Sequence, residues 1–414
     1  MDSKSEGRES ACNIVDEVAR RSYGKLVAFL AVRSHDVAAA EDALSEAFTS
    51  ALVDWPVNGS PSNPKAWLLT VARRKLIDFV RRNRFNESGS EALDLLVGDT
   101  EIAFDSEIPD RRLALMFACA HPAVEAGIRA PLILQVILGL DAKRIASAFL
   151  TSPAAMGKRL VRAKDKIREA GIPFRIPERK ELPARLETVL DAIYATYTEG
   201  WSEPGETNAV RNDLTEESIF LARLIIELTP EEPEALGLLA LVLHAEARRH
   251  ARRNGNGEYV PLAEQDLTLW NWQLIEEAET LLQHASAFEI IGRYQLEAAL
   301  QSAHVYRRRT GQANWKEVVQ LYDVLFSLTG SPVVAINRAL AIAEIHGASA
   351  ALHNMPDLSA DGLSEYQPYW ATRAALLART GARDEARHAY RIAIGLERDD
   401  SVRRFLRQRL SLLD

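Results

Sequence analysis

The sequence contains few of the features that mark secreted, metal-binding or membrane proteins. Only two cysteines occur among 414 residues, Cys12 and Cys119, and they form no CxxC pair. This argues against a disulfide framework or a cysteine zinc site and indicates a reducing compartment. No uncharged apolar run reaches the roughly 18 residues that a membrane-spanning helix needs. The first residues lack an apolar stretch behind a basic start, so we expect a cytoplasmic chain without a secretory signal.

Alternation of apolar and polar residues, the pattern of a half-buried strand, is also missing. Apolar residues instead recur with helical period through most of the chain, for example over residues 14–32 and 36–53. Residues 55–64 are rich in Gly, Pro, Asn and Ser and predict a loop before the next helix. The sequence therefore predicts an all-α fold, with two small helical domains, an acidic linker between them, and a helical-repeat domain after them.

Charge is distributed unevenly along the chain. The formal net charge is −8, yet residues 65–84 hold seven basic side chains and one acidic one, and residues 141–175 hold nine basic and three acidic ones. Between these blocks, residues 85–110 contain eight acidic residues and no basic one. Two basic blocks joined by an acidic tether indicate a polyanionic partner held at two places. A solvated helix face is the alternative interpretation of any single charged run.

The first basic block reads as a helix with one apolar side. The predicted buried stripe comprises Leu68, Ala72, Leu76 and Phe79 or Val80. The arginines predicted to project elsewhere are Arg73, Arg74, Arg81, Arg82 and Arg84. Asp78 stands four residues from both Arg74 and Arg82, so it can pair with either. Trp67 begins the helix, and an aromatic ring beside ordered arginines suits unpaired bases and their phosphates. A plain core position is the alternative for Trp67.

The second basic block, at residues 140–168, predicts a helix-turn-helix motif. The buried side of its first helix is predicted to comprise Ile145, Ala146 and Phe149. Thr151 or Ser152 can cap the second helix, and Pro153 suits its first turn. The second helix is predicted to bury Met156, Leu160, Ala163 and Ile167. The side chains predicted to face outward are Lys158, Arg159, Arg162, Lys164, Lys166 and Arg168.

An apolar clamp that holds a basic helix is what major-groove reading requires. Small residues such as Ala155 allow the helix to approach DNA closely, and Lys158 and Arg162 are placed to reach base edges or phosphates. The alternative is a plain helical hairpin with a basic surface, because the motif has many look-alikes.

The last part of the chain shows helix pairs that resemble one another. In residues 369–397, the positions at tetratricopeptide-like spacings are Trp370, Ala374, Gly381, Ala386, Tyr390 and Ala393. Units of this kind bury their apolar faces only by stacking on their neighbours. We therefore expect residues 176–414 to form one solenoid-like body.

Taken together, these segments resemble a known family. WLLTVARRKLIDFVRR resembles the promoter-melting domain of extracytoplasmic-function sigma factors of bacterial RNA polymerase. DVAAAEDALSEAFTSAL resembles the helix by which those factors grip the clamp helices of the polymerase β′ subunit, and residues 140–168 resemble their domain for the minus-thirty-five element. AIYATYTEGWSEP, LGLLALVLHAEARR and SPVVAINRALAIAE resemble the long C-terminal helical-repeat extension of one subgroup.

The resemblance implies a promoter-specificity factor that contacts core polymerase and promoter DNA and needs no cofactor, metal ion or catalytic residue. It implies the domain bounds 12–85, 86–110, 111–175 and 176–414. The implied polymerase-binding residues, facing the β′ clamp helices, are Glu41, Asp42 and Glu46. Those implied for the minus-ten element are Trp67, Arg73, Arg74, Asp78, Arg81 and Arg82. Those implied for the minus-thirty-five element are Ala155, Lys158, Arg159 and Arg162.

The resemblance also implies roles for the linker and the extension. The acidic linker would thread a basic channel of the polymerase, and the second domain would meet the β flap. The signature of the extension comprises Tyr194, Glu199, Gly200 and Trp201. The extension is expected to regulate activity, by docking on the two DNA-binding domains, on polymerase, or on both.

Two other classes of protein compete with this interpretation. One is a free-standing helix-turn-helix regulator whose repeat domain senses a peptide or ligand, although such a protein has no need of a polymerase-clamp helix. The other is an enzyme in the extension, with Glu199 beside Trp201 as its only candidate group. The nine histidines are scattered and no HExxH pattern occurs, so we expect no catalysis.

Overall fold

A computed structural model of the chain describes residues 2–82, 110–149, 151–178, 180–202, 208–358 and 363–413. Helices make up most of these ranges and no named strand occurs within them, so the predicted all-α fold is confirmed. Contacts divide the chain into two compact units. The first is Met1–Gly200 with Thr207–Ser218, and the second is Trp201–Glu206 with Ile219–Asp414.

The first unit begins with three helices, α1 (Asp2–Ser34), α2 (Val37–Asn58) and α3 (Pro64–Arg82). Asp36 starts α2, since its carboxylate accepts a hydrogen bond from the backbone N–H of Ala39 at 3.1 Å. The loop predicted at 55–64 is partly wrong, because α2 continues to Asn58 and buries Trp55. The connection to α3 is therefore confined to residues 59–63.

The burial of α3 follows the predicted stripe over most of its length. Leu68, Ala72 and Leu76 are buried, as predicted, whereas Phe79 is 42% exposed. Periodicity fixes the direction in which a side chain leaves the helix, but burial also needs another element to cover that turn. Phe79 is therefore not the residue that completes the buried stripe, and the alternative, Val80, stays a prediction because its side chain lies outside the described residues.

Four helices follow in the same unit: α4 (Arg112–Cys119), α5 (Ala126–Leu138), α6 (Ala142–Ala148) and α7 (Pro153–Glu169). Every residue of α4 is buried, and this helix packs against α1 and α5. The predicted linker, 86–110, lies outside the described residues except for Asp110.

The helix-turn-helix prediction matches α6 and α7. Ser152 caps α7 by accepting a hydrogen bond from the backbone N–H of Ala155 at 3.2 Å, and Pro153 occupies its first turn. The predicted inner stripe of α7 is buried: Met156, Leu160, Ala163 and Ile167. In α6, Ile145 and Ala146 are buried as predicted, whereas Phe149, one residue after the end of the helix, is 39% exposed, so the prediction for it is wrong.

The first unit also contains part of the predicted extension. It includes all but the last two residues of α8 (Pro183–Ser202) and the first half of α9 (Asn208–Leu228). The hydroxyl of Ser218 on α9 donates to the backbone carbonyl of Ile193 on α8 at 2.8 Å. The domain bounds from the sequence stay predictions, but the compact body around the helix-turn-helix motif reaches beyond residue 175.

The second unit is built from successive packed helices. They are α10 (Pro233–Glu246), α11 (Trp272–Ser286), α12 (Arg293–Thr310), α13 (Trp315–Thr329), α14 (Pro332–His353), α15 (Gln367–Thr380), α16 (Arg383–Leu396) and α17 (Asp400–Ser411). Gly381, with φ of 81°, ends α15 in the left-handed conformation that lets α16 fold back. The small and aromatic residues singled out in this pair are buried together: Ala374, Ala386, Tyr390 and Ala393.

Candidate nucleic-acid interface

The three acidic residues expected to bind polymerase lie on α2 but in different surroundings. Asp42 and Glu46 are exposed. The carboxylate of Glu46 lies 2.9 Å from Nζ of Lys75 on α3, and such an exposed pair contributes little to stability. Glu41, in contrast, is largely buried by neighbouring residues.

Glu41 lies at the centre of a buried polar contact. Its Oε2 is 2.5 Å from Nζ of Lys164 on α7, and the two side chains are 13% and 12% exposed. The hydroxyl of Tyr23 on α1 donates to the other carboxylate oxygen at 3.4 Å. Burial raises the pKa of Tyr23, and the charge of Glu41 raises it further. The prediction that Lys164 faces outward is wrong, because a carboxylate from another helix covers it.

The residues expected to meet the minus-ten element lie along α3. Trp67 is half-buried, and its ring meets that of Trp55 edge to face at 5.4 Å. Arg74, Asp78 and Arg81 are exposed and Arg73 is half-buried; the side chain of Arg82 lies outside the described residues. The pairing of Asp78 with Arg74 or Arg82 stays a prediction. The structure thus brings an aromatic ring and several basic groups onto one helix.

The residues expected to read the minus-thirty-five element lie near the start and middle of α7. Ala155, Lys158 and Arg162 are exposed. Arg159 is half-buried, and its guanidinium lies 3.0 Å from the carboxylate of Glu125. Val161 is 59% exposed among these basic groups. This surface combines positive charge with small and apolar side chains, the combination that base edges in a major groove accept.

One polar cluster was missed by the sequence reasoning. Arg112 begins α4 and binds the carboxylates of both Asp110 and Glu217, the first at 2.6 Å. Burial acts to raise the pKa of Asp110, but the hydrogen bonds and charge of Arg112 outweigh it and lower the pKa. Burial raises the pKa of Glu217 despite Arg112. Asp110 lies two residues before Arg112, so the sequence alone could have suggested this pair. Glu217 lies 105 residues away, so the sequence could not identify it as a partner.

The signature residues of the extension lie on α8. Tyr194 is half-buried, and the burial of Glu199, Gly200 and Trp201 is not described. Their expected role stays a prediction. No group of three or more potential metal ligands occurs within the described residues. None of the described helices combines the length and apolar character that crossing a bilayer requires.

Comparison with known proteins agrees with this arrangement. A family model described as "Sigma-70 region 2" matches residues 18–86, which contain the second half of α1 and all of α2 and α3. A model described as "Family of unknown function (DUF6596)" matches residues 185–286. An uncharacterized protein of Rhizobium meliloti (strain 1021) is 38% identical over 385 residues, covering 90% of each chain. The chain belongs to the same family as this protein. No solved structure matches it significantly.

The region 2 match supports a sigma factor and indicates that the chain binds RNA polymerase and DNA in transcription initiation. Domains of this type belong to transcription factors and are not enzymatic. All residues expected to contact polymerase and the minus-ten element lie inside the matched range. The helix-turn-helix motif lies outside the matched range, so its proposed role rests on the charge and exposure of its own residues.

Proposed function

We propose that the chain is a sigma factor of the extracytoplasmic-function type that acts in the cytoplasm. It binds core polymerase through the β′ clamp helices and the β flap, and it selects promoters by their minus-thirty-five and minus-ten elements. The observation that supports this proposal most is the region 2 match over α2 and α3. These helices carry both the acidic residues of α2 and the basic residues of α3.

Strand opening would depend on α3. Trp67 offers an aromatic face, and the arginines offer charge for the phosphates of an unpaired strand. Capturing one base on an aromatic side chain contributes roughly 1–3 kcal/mol. Asp78 holds the nearby arginine heads in position. The proposed minus-ten set is Trp67, Arg73, Arg74, Asp78, Arg81 and Arg82.

Duplex recognition would depend on α7. Its exposed residues Ala155, Lys158 and Arg162 enter the major groove, while Arg159 is held by Glu125 at the edge of that surface. Phosphate contacts make such binding fall steeply with salt. The acidic linker then carries the chain from one element to the other along a basic channel of the polymerase.

The second unit would regulate these activities. Its stacked helix pairs, with Gly381 at a turn and Ala374, Ala386 and Tyr390 in the core, support a tetratricopeptide-like repeat. Repeats of this kind present extended surfaces to peptides or partner domains. The proposed signature of this extension comprises Tyr194, Glu199, Gly200 and Trp201.

Run-off transcription with purified core polymerase and a promoter selected by the wild-type chain tests this proposal. We expect Trp67→Ala with Arg81→Ala to abolish open-complex formation while promoter-duplex binding persists. We expect Lys158→Ala with Arg162→Ala to weaken duplex binding and its dependence on salt. Arg383→Ala, an exposed basic position in the second unit, is the control and should act as wild type. Unchanged transcription on omission of the chain would refute the proposal.

A further inference from the structure

The two helical domains of the first unit are joined by an ion pair that is not a surface contact. Lys164 of α7 and Glu41 of α2 are separated by 123 residues, and each side chain is nearly covered. Removing one partner of a buried ion pair destabilises a protein, because the other charge then stays buried without a partner. Lys164 and Glu41 thus link α7 to α2 through a largely buried contact.

A second ion pair lies on the same side of α7. Arg168 follows Lys164 by one helical turn, and its guanidinium lies 3.4 Å from the carboxylate of Asp36, the cap of α2. Lys158 and Arg162 are exposed and leave α7 in a different direction. The helix thus uses one side to hold α2 and keeps another side available for DNA.

The backbones of the two domains also approach closely. Gly24 of α1 faces the carbonyl oxygen of Ile137 at the end of α5, and a Cβ at Gly24 would overlap that oxygen. Gly139, just after α5, lies against the ring of Tyr23, since its own Cβ would be 3.1 Å from that ring. At Gly24 only glycine permits this approach, because any Cβ would overlap a backbone atom, so α1 and α5 are in direct contact there.

We propose that this contact is an autoinhibitory closed state in which α7 masks Glu41. Glu41 is one of the three residues through which α2 is proposed to bind polymerase, so the inference rests on the proposed function. Core polymerase must displace Lys164 before α2 is fully available. The closed state reduces the apparent affinity for polymerase in proportion to the fraction of open molecules.

The substitution Gly24→Ala tests this inference without removing a charge. It introduces a methyl group against Ile137 and favours the helical conformation of α1, because alanine is the better helix former. Gly395→Ala is the matched control: Gly395 is a helical glycine in α16, and a Cβ there would meet nothing within 4 Å. The full-length chain is used throughout, and circular dichroism verifies that each variant is folded.

The first measurement is the radius of gyration of the free protein by small-angle X-ray scattering. We expect Gly24→Ala to increase it and Gly395→Ala to leave it at the wild-type value. The second is the Kd for purified core polymerase by fluorescence anisotropy. We expect Gly24→Ala to lower the apparent Kd by about tenfold, because a larger fraction of the free molecules is then open and able to bind polymerase.

Lys164→Gln provides an independent test if Gly24→Ala impairs folding. It removes the charge that covers Glu41 and leaves Lys158 and Arg162 in place, so we expect the same two changes. Equal Kd values for wild type and both variants would refute autoinhibition while leaving the proposed function intact. Failure of every form, wild type included, to bind core polymerase would refute the proposed function, whereas the scattering result would still report whether the contact exists.

Discussion

The Arg112 cluster gives a direct prediction about stability. Arg112→Met removes the guanidinium but keeps an unbranched side chain of similar length at the start of α4. The backbone N–H of residue 112 can still donate to Asp110, at 3.0 Å in the wild type. What is lost is the positive charge between Asp110 and Glu217, so these two largely buried carboxylates lose the guanidinium that they share.

The size of the effect follows from burial. The side chains of Arg112, Asp110 and Glu217 are 8%, 20% and 22% exposed. Removing one partner of a fully buried pair costs about 3–5 kcal/mol, and the remaining exposure of the two carboxylates favours the lower end, about 3 kcal/mol. For a unit of this size each kcal/mol shifts Tm by about 2–4 °C, so we expect a decrease of about 6–12 °C.

Differential scanning calorimetry of the full chain measures this shift. The matched control is Arg20→Met, which breaks an exposed i,i+4 pair with Asp16 on α1 of the same unit and should cost less than about 1 kcal/mol. Arg112→Met combined with Glu217→Met should recover part of the loss, because apolar groups replace the unpaired carboxylate. An Arg112→Met variant that unfolds at the temperature of the control would refute this account of the cluster.

Three further predictions concern the extension. A chain that ends before Pro183 loses Glu217 with the rest of the extension, and we expect it to lose promoter-dependent transcription in a reporter assay; full activity would point to an inhibitory extension. Burial, then the charge of Arg248, lowers the pKa of His244 from 6.5 to about 4 despite Glu279 at 3.5 Å. Because the unfolded chain then binds more protons, His244 should lower the free energy of unfolding of the second unit by about 3 kcal/mol between pH 6.5 and 4. His244→Leu should reduce this loss in urea unfolding but not remove all of it, because burial also lowers the pKa of His304 to about 4. Gly237→Ala should destabilise the same unit by about 1–3 kcal/mol in urea, since its Cβ would lie 2.6 Å from the backbone nitrogen of Gln295; an unchanged midpoint would contradict this.

The sequence predicted secondary structure best where the pattern is local. The inner stripe of α7 follows from spacing alone, because a helix places residues three and four apart on one side. Residue type narrowed the cap to Thr151 or Ser152, and the structure shows that it is Ser152. The errors occur where burial depends on another element. Phe79 has the right period but is 42% exposed, and Trp55 was assigned to a loop although α2 extends past it and buries it.

The sequence predicted how much charge each helix carries but not which residues form ion pairs with each other. The sequence by itself determined that α7 is basic, that α2 carries acids and that both are helices. Only the tertiary structure decided that Lys164 meets Glu41 across 123 residues, and that Arg112 meets Glu217 across 105. Helical period reports the direction of a side chain around its own axis, whereas an ion pair depends on which distant helix packs there. For that reason the sequence described two separate basic surfaces, and the fold turned part of one into an internal contact.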